Sequence, residues 1–72
     1  MKSKLYEALE KKYEAKMIEC EATLEVYFNN PAGIGEHPDI LDEMDKLIEK
    51  YATAVGNLEI LKTTFSGYEI EE

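Results

Sequence analysis

The residues of this chain whose types could do chemistry crowd into one stretch, Asn30-Pro31-Ala32-Gly33-Ile34-Gly35-Glu36-His37-Pro38-Asp39. It holds the sole histidine, both prolines and two of the four glycines. Gly33 and Gly35, close to the start of a helix, offer backbone N–H groups that attract anions, reinforced by the helix dipole. Neither GxxxxGK[ST] nor GxGxxG is present, however, and Glu36, Asp39, Asp42 and Glu43 set negative charge at that terminus. The loop alone therefore repels phosphate, and a pocket for a small nucleotide requires Lys or Tyr from another chain. His37 with Glu36, Asp39 and Asp42 is too thin a ligand set for a metal centre, with one imidazole beside a rigid proline. No Ser/His/Asp or Cys/His constellation is evident, so the expectation is a non-enzymatic protein with no metal and no cofactor. The loop residues that could meet a partner are Gly33, Ile34, Gly35, Glu36, His37 and Asp39.

Two long segments must position this loop. Residues 3–28 lack Gly and Pro and are rich in Glu, Lys, Ala and Leu, all good helix formers. Ser3 suits the N-cap. On a 3.6-residue wheel, Leu5, Tyr6, Leu9, Tyr13, Met17, Cys20, Leu24, Tyr27 and Phe28 form one apolar stripe. Cys20 within it should act as a small inert hydrophobe. A second helix is expected over 38–65, with Pro38 at its first position and Ser66-Gly67 as a stop containing a left-handed Gly67. Ile40, Met44, Leu47, Tyr51, Ala54, Leu58, Leu61 and Phe65 step by alternating fours and threes, a heptad seam. Two helices of matched length joined by a loop over 29–37 imply an antiparallel hairpin, one domain over 1–72 with an acidic tail at 68–72.

Apolar residues beyond those two stripes point to assembly. Ala8, Ala15 and Ala22 recur every seven residues on the first helix, with Ile18 and Val26 alongside. Leu41, Ile48 and Val55 do the same on the second. A lone hairpin needs neither row, and a chain of 72 residues without disulfides has little core of its own. The expected fold is thus all-α: an antiparallel two-helix hairpin forming a homo-oligomeric helical bundle. Ala8, Ala15, Ala22, Leu41, Ile48 and Val55 would line the oligomer interface. Four tyrosines (Tyr6, Tyr13, Tyr27 and Tyr51) on apolar faces suit interface margins, where a ring is buried and a hydroxyl is not.

A net charge of −8, from sixteen acids against eight lysines and no arginine, disfavours binding to nucleic-acid backbones. No run approaches the ~20 apolar residues of a membrane span, and no apolar leader opens the sequence. One cysteine fits a reducing compartment, so a cytoplasmic location is expected.

The loop with its flanks, VYFNNPAGIGEHPDILDEMDKLIEKYATAVGNLEILKTTF, resembles a family of short helical-hairpin proteins of tailed bacteriophages that share an NPxGIGEHPDI loop and a similar LExLK ending. The likeness covers residues 24–65. The family carries no established activity, so it transfers no functional residue. It implies a phage setting, with the host-cell cytoplasm as the site of action. The expected function is that of a phage accessory protein acting by binding, which inhibits or sequesters a host defence component. The alternatives are a structural or assembly component of the virion, and an oligomeric sponge for a small signalling nucleotide.

Overall fold

The computed structural model describes residues 2–30 and 39–70, and among these it is all-helical. Helix α1 spans Lys4–Phe28 and helix α2 spans Ile40–Thr64, followed by a single 3-10 turn at Ser66–Tyr68. Each helix has 25 residues, about 37 Å at 1.5 Å per residue. They pack side by side along their lengths as a two-helix hairpin. The molecule measures 52 × 19 × 14 Å, with a radius of gyration of 16.0 Å. A compact globule of this length would have a radius near 11 Å. The hairpin is a rod, and a rod leaves most side chains facing outward.

The ends of α1 follow local chemistry. Ser3 is in extended geometry, and its hydroxyl accepts from the Leu5 N–H at 3.1 Å, satisfying one of the orphan donors of the first turn. Asn29 closes the other end, its N–H donating to the Glu25 carbonyl. Helix α2 starts at Ile40 behind its N-cap Asp39, whose side chain makes no capping bond, and the expected first position at Pro38 lies outside the described residues. The C-terminal end departs further. No described glycine has positive φ, so Gly67 does not form the expected left-handed stop. Instead Phe65 caps α2 and the chain tightens into the 3-10 turn, with Tyr68 N–H donating to the Phe65 carbonyl. A 3-10 turn satisfies the terminal carbonyls with i→i+3 bonds and needs no residue of positive φ.

The core lies along the contact between the helices. Tyr6, Cys20 and Leu24 of α1 are buried, as are Ile40, Met44, Ala54 and Leu61 of α2. Leu24, Ile40 and Met44 form one cluster beneath Tyr27 and Leu47. Cys20 is the most deeply buried side chain and is a free thiol, in keeping with its place on the apolar stripe. The stripes pack incompletely at their edges. Leu5 and Phe28, both on the expected face of α1, are about two-thirds or more exposed, and Phe65 is nearly half exposed.

Candidate functional site

The two rows of apolar residues left over by the hairpin are open to solvent. Ala8, Ala15, Ala22, Ile18 and Val26 of α1 are exposed, and so are Leu41, Ile48 and Val55 of α2. At 100° per residue, the alanine row lies on the side of α1 roughly opposite the buried Tyr6, Cys20 and Leu24. The row of Leu41, Ile48 and Val55 instead flanks the buried stripe of α2, at roughly 60–100° from it. The six residues therefore do not form one continuous strip within a single hairpin. They offer two separate surfaces, one on each helix.

Of the loop residues, Gly33, Ile34, Gly35, Glu36 and His37 lie outside the described residues. Asp39 is exposed at the N-terminus of α2, where Asp42 and Glu43 of the first turn join it. Glu43 is engaged: it accepts a hydrogen bond from the Tyr27 hydroxyl at 3.1 Å, tying the end of α1 to the start of α2. That bond, followed by the charge of Glu43 and by burial, raises the Tyr27 hydroxyl above the usual tyrosine range. The Tyr6 hydroxyl is also raised, first by burial and then by Glu69 and Glu10. Among the described residues the buried Tyr6 hydroxyl has no hydrogen-bond partner. No group of three or more His, Cys, Asp or Glu side chains converges to hold a metal ion there either. No helix among the described residues is long and apolar enough to cross a membrane.

A feature absent from the sequence reading runs along the flank of α2 opposite Leu41, Ile48 and Val55. Lys12 and Lys16 of α1 and Lys46 and Lys50 of α2 line an open groove of about 700 Å³. Tyr13, Thr53, Ala54 and Asn57 complete it, together with Glu49 as the one carboxylate among its described lining residues. From Lys46 to Asn57 it extends about 16 Å along α2. A second, more apolar cavity of about 350 Å³ meets it at Tyr13 and Asn57, and the buried Tyr6 ring is part of its wall.

The ion pairs explain why this groove is basic in an acidic molecule. Lys4, Lys11 and Lys16 pair with Glu7, Glu14 and Glu19, each three residues on in α1, and Lys62 bridges to Glu10 across the helices at 3.9 Å. Lys12, Lys46 and Lys50 pair with no carboxylate among the described residues, and all three line the groove. The signal was present in the spacing. Lys12/Lys16 and Lys46/Lys50 are both i,i+4 pairs of like charge, which each cost a helix about 0.2–0.5 kcal/mol. Reading the helices one at a time conceals that their packing brings the two pairs into one groove.

Comparison with protein-family models, with curated proteins and with solved structures gives no match for this chain.

Proposed function

We propose that the chain is a non-enzymatic accessory protein of a tailed bacteriophage that works in the host cytoplasm by binding. In this reading, copies of the hairpin assemble into a bundle, and the bundle inhibits or sequesters a host defence component. The observation that carries it is the row Leu41, Ile48 and Val55. The buried stripe of α2 is already used against α1, yet this row keeps 71%, 49% and 36% of its surface exposed at heptad spacing. A regular apolar row on a rod is suited to lie against another helix, because a straight stripe meets a straight stripe along its whole length. The surplus of acid over base keeps such a surface soluble and leaves nucleic-acid backbones as poor partners.

Light scattering of the purified chain tests the assembly, which predicts a mass at least twice 8.3 kDa. A stable single-chain mass removes the bundle. Expression in bacteria tests the role: phage sensitivity or growth should change, and pull-down should recover a host protein. Neither effect, combined with many copies of the chain in purified particles, would reassign it to the virion.

A further inference from the structure

We propose that the groove lined by Lys12, Lys16, Lys46 and Lys50 is a binding site for a nucleotide-class ligand, an organic polyphosphate carrying an aromatic ring. Three observations converge on it. The first is charge: Lys12, Lys46 and Lys50 make no ion pair with a carboxylate among the described residues, and all three are here. In a chain where acids outnumber lysines two to one, unpaired ammonium groups gathered on one side of the rod mark a place where negative charge is expected from outside. Lysine binds phosphate as a mobile point charge, so side chains from two helices can close on one polyphosphate from both walls.

The second is shape. The basic groove of about 700 Å³ lies within the range of small-molecule sites, and it opens at Tyr13 and Asn57 into the more apolar cavity of about 350 Å³. A ligand with charge at one end and a ring at the other matches that division. Its phosphates lie among the lysines, while its ring rests toward Tyr13. Asn57, at the junction, carries both a donor and an acceptor for the polar edge of a base.

The third is cost. Two like-charge i,i+4 pairs weaken both helices, and no described carboxylate forms an ion pair with Lys12, Lys46 or Lys50. A bound polyanion would offset them. Asp39, the described carboxylate of the NPAGIGEHPD stretch, is not among the residues that line this site. The proposal also stands apart from the bundle, since the groove lies on the flank of α2 roughly opposite Leu41, Ile48 and Val55.

The test is calorimetric titration of the full chain at low ionic strength with three probes: ATP, inorganic pyrophosphate and a deca-glutamate peptide. ATP should bind, pyrophosphate should bind more weakly for want of a ring, and added salt should weaken both. The double variant K46Q/K50Q should weaken ATP by about tenfold or more, the loss of at least one charge-assisted contact. It should keep its helicity, because it removes a like-charge pair. The variant Ile48→Ala should bind ATP as the parent does, whatever its mass. No heat with ATP up to about 1 mM, or unchanged binding by K46Q/K50Q, overturns the site. Tighter binding of deca-glutamate than of ATP also overturns it and assigns the groove to an acidic protein segment.

Discussion

Ile48 is the residue at which the assembly can be tested most directly. It sits at the centre of the row Leu41, Ile48 and Val55, and 49% of its surface is exposed in the single hairpin. Full burial of an isoleucine is worth about 1.5–3 kcal/mol. The hairpin already uses half of that, so about 0.7–1.5 kcal/mol per copy remains for a partner to bury. In a symmetric dimer the residue occurs twice, and Ile48→Ala should forfeit about 1.5–3 kcal/mol of association free energy. That is a roughly tenfold to 150-fold weaker dimer. Sedimentation equilibrium over a range of concentrations reads the association, and circular dichroism confirms that the variant stays helical. The melting temperature of the parent should also rise with protein concentration, as it does whenever association stabilises the folded state. A variant with unchanged helicity that associates no more weakly than the parent, or a parent that does not associate, would show that this row meets no second chain.

Further outcomes follow from the hairpin itself. Leu24→Ala empties the Leu24–Ile40–Met44 cluster and should cost about 2–5 kcal/mol in urea unfolding, against roughly 4–11 kcal/mol for a domain of this length. A loss below about 1 kcal/mol would show that this cluster is not the core. Gly56→Ala should stabilise by about 0.5–1 kcal/mol, since Gly56 lies inside α2 and a methyl group placed there meets no atom within 4 Å. Any destabilisation would indicate a second chain pressed against that glycine. Ser3→Ala should cost about 0.5–2 kcal/mol by removing the cap of α1, readable as a lower urea midpoint. At alkaline pH the hairpin should weaken through Tyr6 and Tyr27. Both hydroxyls are held above the ordinary tyrosine value of 10.0 in the folded state, so the unfolded chain loses those protons first. Stability is therefore fully present below pH 10.0 and falls as pH climbs from there through the folded-state values. Absorbance titration should show Tyr27→Phe removing one late-ionising tyrosine.

Both helices were legible in the sequence because periodicity and composition agree along them. The absence of Gly and Pro from 3–28 and the four-three seam of Ile40 to Phe65 each admit one reading, and Ser3 marks its boundary by a local bond. What eluded the sequence depended on neighbours. Gly67 looks like a left-handed stop, but the chain satisfies the last carbonyls with a 3-10 turn instead. Leu5 and Phe28 belong to the apolar stripe by angle but sit at its ends, where the helices offer less cover, and remain exposed. The lysine groove escaped for a related reason. Its four cations are unremarkable on either helix alone, and only the pairing of the helices makes them one surface.

The two ends of the described hairpin are tied together. The Ser3 N–H donates to the Tyr68 carbonyl at 2.9 Å, so residues 65 apart in the chain stand side by side. A segment joined before Ser3 and one joined after Tyr68 would therefore start from the same tip of a 52 Å rod, far from the end where Asp39 begins α2. A label or surface anchor placed there leaves the flanks and the opposite tip clear, and two hairpins could be joined tail to head by a short linker. The same closeness makes the hairpin a natural subject for backbone cyclisation. Closing so small a gap would shrink the unfolded ensemble while asking little of the folded rod.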